Sequence, residues 1–160
     1  MAANRGAAPR LTRRGTLTLF AGGSIAAAAG MLARPARADT DPRAGFAAGD
    51  LPAALAALFG SRAILASDAV RIAMVDIAED GAIVPIEIEA DLPRAERIAI
   101  LCGVNPVPLI GLFELDQALA PYLSTRIKLA GSGEVMAVVD TGDALLAGRR
   151  TVRVMLDGCR

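Results

Sequence analysis

The clearest periodicity in the chain lies between Leu51 and Phe59, where Leu51, Leu55, Leu58 and Phe59 recur at the spacing of one helical face. Pro52 near the start and Gly60 after the last apolar position bound a predicted helix over 51–59. Beyond Ser67 the period changes to two. Val70, Ile72 and Met74 alternate with their neighbours, Glu79-Asp80-Gly81 supplies a turn, and Ile86-Glu87-Ile88-Glu89 alternates again, which predicts a hairpin. Further runs follow at Arg97 to Cys102, Leu109 to Phe113, Tyr122 to Leu129, Glu134 to Val139 and Thr151 to Leu156. Between them stand the turn signals Asn105-Pro106-Val107-Pro108, Gly131-Ser132-Gly133 and Thr141-Gly142-Asp143. About seven short antiparallel strands so punctuated predict an all-β sandwich preceded by a short amphipathic helix.

Faces follow from the same alternation. In Leu123-Ser124-Thr125-Arg126-Ile127-Lys128-Leu129 the apolar set faces a core and Ser124, Arg126 and Lys128 face water. The runs Ile98-Ala99-Ile100-Leu101-Cys102 and Val135-Met136-Ala137-Val138-Val139 are apolar on both faces. Such strands are central, covered by the Leu51 helix or by a partner protein, and the second cover predicts a heterodimer.

The N-terminus is built differently. A polar stretch to Arg14 precedes an apolar run from Leu17 to Ala33 and the small-residue pattern Ala36-Arg37-Ala38, the layout of a cleaved secretory signal. Arg13 and Arg14 stand directly before the apolar run, as in a twin-arginine signal, with Thr16 where phenylalanine is commonest. The run is short and diluted by Gly22, Gly23 and Gly30, so it suits a signal better than a retained membrane anchor. The predicted organisation is therefore a signal over 1–38, an N-terminal segment over 39–68 with its helix near 51–59, a sandwich over 69–156 and a C-terminal arm over 157–160. Export by the twin-arginine pathway places the protein in the periplasm.

Charge sharpens this picture. The chain carries 17 basic and 17 acidic residues, but six arginines and no acid lie before Asp39. The remainder is acidic, which argues against nucleic-acid binding. With no histidine, Ser-His-Asp and Cys-His nucleophile systems and histidine-ligated zinc are excluded, and two cysteines cannot build a thiolate metal site. Gly131-Ser132-Gly133 joins two strands and opens no helix, so it is no phosphate loop. No cofactor or metal is expected. The carboxylates Glu79, Asp80, Glu87 and Glu89 fall on a turn and on one strand face, where solvated surface explains them better than acid/base chemistry.

Two cysteines remain. Cys102 closes an apolar strand and shares a face with Ile98 and Ile100, the position of a small core residue. Cys159 is the penultimate residue, between Asp157-Gly158 and Arg160. A thiol there is poorly placed for packing and well placed to carry a group between sites, with Gly158 as a joint. Its other readings are a disulfide to Cys102 or an incidental thiol. A redox protein is disfavoured by the absence of Cys-x-x-Cys.

Several ordered blocks carry a family resemblance. They are Ala78-Glu79-Asp80-Gly81-Ala82-Ile83-Val84-Pro85-Ile86, Asp91-Leu92-Pro93, Asn105-Pro106-Val107-Pro108-Leu109, Ser124 to Leu129, and Val152-Arg153-Val154 leading to Gly158-Cys159. From about Leu51 to Cys159 the chain resembles SoxY, the sulfur-carrier subunit of the bacterial thiosulfate-oxidising system. The resemblance implies an immunoglobulin-like sandwich paired with a SoxZ-like subunit. It implies a non-catalytic carrier whose Cys159 is loaded oxidatively with thiosulfate and presented to periplasmic sulfur-oxidising enzymes, c-type cytochromes among them. Members of that family end in Gly-Gly-Cys-Gly-Gly. Here Asp157 replaces the first glycine and Arg160 the final pair, which shortens the arm and reduces its backbone freedom. Asp157 and a terminal carboxylate disfavour the thiolate, whereas Arg160 favours it. Two functions therefore stand: a covalent sulfur carrier through Cys159, and a periplasmic sandwich that only binds a protein partner.

Overall fold

A computed structural model of the protein describes residues 41–116 and 118–155. The predicted signal with Arg13 and Arg14, and the arm with Gly158, Cys159 and Arg160, lie outside the described residues.

Two helices come first, α1 (Pro42–Ala47) and α2 (Leu51–Phe59), the latter with the predicted bounds. Both begin by one device. The Asp41 carboxylate accepts the Arg43 N–H at 2.9 Å, the Asp50 carboxylate accepts the Ala53 N–H at 2.8 Å, and each helix has a proline in its first turn. Gly60 ends α2 at φ 62°, a conformation open to glycine at little cost. α1 has one large apolar residue, Phe46, and so shows no periodicity to predict it from.

Nine strands follow among the described residues: β1 (Ile64–Ala66), β2 (Val70–Met74), β3 (Ile77–Ala78), β4 (Val84–Ala90), β5 (Arg97–Cys102), β6 (Leu109–Glu114), β7 (Tyr122–Ile127), β8 (Gly133–Asp140) and β9 (Leu145–Val154). The larger sheet runs β1-β9-β8-β5-β6, with β3 also on β9; the smaller runs β2-β4-β7. The predicted hairpin is present, with Ile72 opposite Ile88 and Arg71 opposite Glu89. The expectation of seven strands, all antiparallel, is corrected. β1 and β3 are too short to show a period, and both lie parallel to β9, with Ile64 opposite Leu145 and Ile77 opposite Arg153. Between them the chain crosses into the smaller sheet as β2. The crossing is tight: the Ser67 N–H bonds the Ala147 carbonyl at 3.0 Å, and a Cβ on Gly148 would collide with the Val70 carbonyl oxygen. β9 also begins earlier than the predicted Thr151, because Leu145 and Ala147 already pack beneath the helices.

Two apolar layers result. Ile86, Ile88, Ile98, Ile100, Cys102, Val135, Ala137, Val139, Val152 and Val154 fill the space between the sheets. Ala99, Leu101, Met136, Val138, Leu145 and Ala147 face outward from the larger sheet and are covered by Ala54, Leu58 and Phe59. Full burial of Leu58 and Phe59 stabilises this contact by about 2 kcal/mol each. The doubly apolar strands β5 and β8 thus have both faces covered by layers of this chain. Of the two covers the sequence leaves open, the Leu51 helix is the one that lies over them, so their composition does not itself call for a partner.

Candidate functional site

β9 is the strand that delivers the chain toward Cys159, so its C-terminal end is the base of any arm. Thr151, Val152 and Val154 are β-branched and suit an extended strand, and Val152 and Val154 turn into the core. Three neighbours hold the last residues. On one edge the Arg153 N–H donates to the Asp76 carbonyl and the Met155 N–H to the Ala78 carbonyl, both at 2.9 Å. On the other, the Ser132 Oγ accepts the Val154 N–H at 2.9 Å and lies 3.3 Å from the Val154 carbonyl, to which it donates. Beneath, Gly81 presses against Val154 and against the Leu129 carbonyl, which a Cβ would strike, while the Leu129 N–H donates to the Gly81 carbonyl at 2.8 Å. The backbone is thus held as far as Met155.

Four of the blocks that carried the resemblance meet here, those holding Gly81, Asn105, Leu129 and Val154. Asp80 closes the 79–83 turn by accepting the Ala82 N–H at 2.7 Å. Asn105 donates to the Lys128 carbonyl at 2.9 Å and accepts the Ala130 N–H at 2.8 Å, which fixes the backbone on either side of Leu129. Asn105, Leu129, Gly81 and Val154, far apart in sequence, therefore form one connected support for the end of β9. Ser132 was visible in the sequence only as part of a turn; its bonds to Val154 need the β8 and β9 pairing that sets it there.

The other predicted positions separate cleanly. Cys102 is a free and fully buried thiol facing the inter-sheet core, as its pattern predicts. Burial pushes its pKa up, with Glu134 adding to the shift and a backbone bond from Val104 opposing it, so it stays a thiol and a weak nucleophile. Glu79, Asp80, Glu87 and Glu89 are exposed. Among the described residues no group of three or more cysteine, aspartate or glutamate side chains could hold a metal ion.

One cluster escaped sequence reasoning. Asp140, fully buried at the end of β8, accepts two bonds from Arg62 at 2.9 and 3.0 Å, one from Arg97 at 2.7 Å and one from the Gly142 N–H at 2.9 Å. Arg97 also lies 6.0 Å from the centre of the Phe59 ring. Burial alone would raise the Asp140 pKa, but the bonds from Arg62, Arg97 and Gly142 outweigh it and hold the carboxyl at about 2. The cluster ties the loop after α2 to the sheet. It sits opposite Leu145, nine residues up β9 from Val154 and so about 30 Å from the base of the arm. It is a structural latch, remote from the C-terminal end of β9.

Comparison with known proteins places this geometry. No curated protein matches the chain. A solved structure, the sulfur carrier protein SoxY from Chlorobium limicola f thiosulfatophilum, is similar at 34% identity over 67% of this chain and 97% of that one, with a TM-score of 0.61. The sequence model of the family described as sulfur oxidation protein SoxY matches residues 55–159, from within α2 through the sandwich to the candidate cysteine itself. With both the fold and that span matched, this chain belongs to the SoxY family.

Proposed function

We propose that this protein is a non-catalytic covalent carrier of sulfur in thiosulfate oxidation, with Cys159 as the attachment point. The observation that carries this reading is the family match to residue 159, joined to a structural relative that is a sulfur carrier protein. Loading balances as Cys159–SH plus thiosulfate giving the Cys159 S-thiosulfonate, one proton and two electrons. The sulfur–sulfur bond forms as the thiol and the outer sulfur of thiosulfate are oxidised together. The electrons pass to an external acceptor, a c-type cytochrome by family resemblance.

Several features support the division of labour. No histidine is available to serve as a base. Cys102 is sealed in the core, where a bridge to Cys159 would require opening the packing around Ile98 and Ile100. The protein works in the periplasm after twin-arginine export, and pairs there with a SoxZ-like subunit. Asp157 and Arg160 flank the Gly158-Cys159 pair where glycines are usual in the family, so the thiol has charged neighbours in sequence.

Intact-mass spectrometry of the protein isolated from its native periplasm tests the proposal. Sulfur adducts that reductant removes, mapped to Cys159 and missing from the Cys159→Ser variant, are the expected result. An unmodified thiol in cells actively oxidising thiosulfate counts against it.

A further inference from the structure

The outer face of the larger sheet is covered at one end and bare at the other. α2 lies over Met136, Val138, Leu145 and Ala147, whereas the end of β9 beyond Ala147 has no layer on that side among the described residues. Alternation decides what is shown there. Ala78 and Val154 are paired and face the inter-sheet core, so Ile77, its partner Arg153, and Met155 present to the opposite side. Ile77 and Met155 are each 55% exposed, and Ile83, on the turn that supports Val154, is 64% exposed. Two apolar side chains thus bracket one guanidinium at the last described residues of β9.

Charge distinguishes Arg153 from its neighbours. Arg149 pairs with Glu134 at 2.8 Å and Arg150 with Asp76, whereas Arg153 has no ion pair among the described residues. A carboxylate brought up from outside would find this guanidinium open.

Covalent reach then says what comes here. Cys159 is four residues beyond Met155, so its Cα lies within roughly 14 Å of the Met155 Cα however those residues are arranged. A cleft that receives the Cys159 sulfur must therefore bring its rim to within about that distance of Met155, and the exposed apolar and cationic side chains beside Met155 are those of this face. From these observations we infer that the bare end of the larger sheet, carrying Ile77, Arg153 and Met155, is the surface on which an enzyme acting on the Cys159 thiol seats this protein. The inference rests on the carrier reading and names its partner's chemistry: a cleft whose rim pairs an apolar patch with a carboxylate for Arg153. Seating of this kind sets affinity, while the chemistry stays with the thiol.

The test uses periplasmic extract of a strain lacking this protein, supplemented with the purified full chain at varied concentration, and follows thiosulfate-dependent cytochrome reduction. Arg153→Glu and the double change Ile77→Asp with Met155→Asp alter exposed side chains and leave the core intact. Both should raise the apparent KM for the carrier about tenfold or more while the maximal rate is kept. Their Cys159 should react with iodoacetamide at the wild-type rate. An unchanged KM overturns the inference and leaves the carrier reading standing. A raised KM accompanied by loss of a co-sedimenting partner subunit, or of self-association, also overturns it, since the face would then be an assembly interface. If Cys159→Ser supports the wild-type rate, the carrier reading itself fails and the inference fails with it.

Discussion

The hydroxyl of Ser132 satisfies both backbone polar groups of Val154, accepting from its N–H at 2.9 Å and donating to its carbonyl at 3.3 Å. One side chain in a turn thereby does for the end of β9 what another strand would do. β8 ends its pairing at Gly133 opposite Val152, so without this hydroxyl the next backbone groups of β9 would have no partner on that edge.

Ser132→Ala should therefore loosen the base of the arm before it loosens the sandwich. The expected loss of global stability is about 1 kcal/mol. The clearer signal is hydrogen exchange at the Val154 amide, which should accelerate strongly while the amides of β5 stay protected. Equal protection of Val154 in both proteins would show that the bond contributes little.

Asp140 makes a pH prediction of definite sign. Its folded pKa of about 2 lies below the ordinary 3.8, so the unfolded chain binds the proton more readily and acid favours unfolding. The stabilisation is fully present above about pH 4 and is lost as pH falls toward 2, amounting to about 2 kcal/mol. Asp140→Asn should cost about 3 kcal/mol at neutral pH, because it removes the buried carboxylate charge that Arg62 and Arg97 share. Urea unfolding across that range should show the gap between wild type and variant narrowing with acid. A gap that does not change with pH would remove the carboxylate from this role.

Cys102 and Cys159 should behave as different reagents. In the native protein an alkylating agent should modify Cys159 alone, and Cys102 only after denaturation, since Cys102 is fully buried with a raised pKa. Cys102→Ser should destabilise by about 1 to 3 kcal/mol by placing a hydroxyl between the sheets, with no change in loading at Cys159. Peptide mapping after timed alkylation reads the first expectation and urea titration the second.

Replacing Arg13 and Arg14 together by lysine should leave the unprocessed chain in the cytoplasm, because the pair stands before an apolar run too weak to direct export strongly by itself. Cell fractionation and immunoblotting give the answer, and normal export of the variant would rule out the twin-arginine route.

Local pattern in the chain was enough to determine α2 with its bounds, the β2 and β4 hairpin, the exposed and buried sides of β7, and the core position of Cys102. Each depends on residues close in sequence, where period and turn chemistry act directly. The ordered blocks from Ala78 to Cys159 likewise pointed to the family without any structure. Tertiary structure alone decided the rest. β1 and β3 are strands because β9 offers them an edge, not because three or two residues carry a pattern of their own. The cover over β5 and β8 proved to be α2, a choice that doubly apolar strands leave open. Arg62 and Asp140 are 78 positions apart, and Arg97 and Asp140 are 43 apart. No sequence spacing predicts such pairs, because a buried carboxylate is tolerated only where folding has already brought its cations within hydrogen-bond distance. The bare face beside Arg153 was equally invisible, since exposure is what remains after every other layer has found its place.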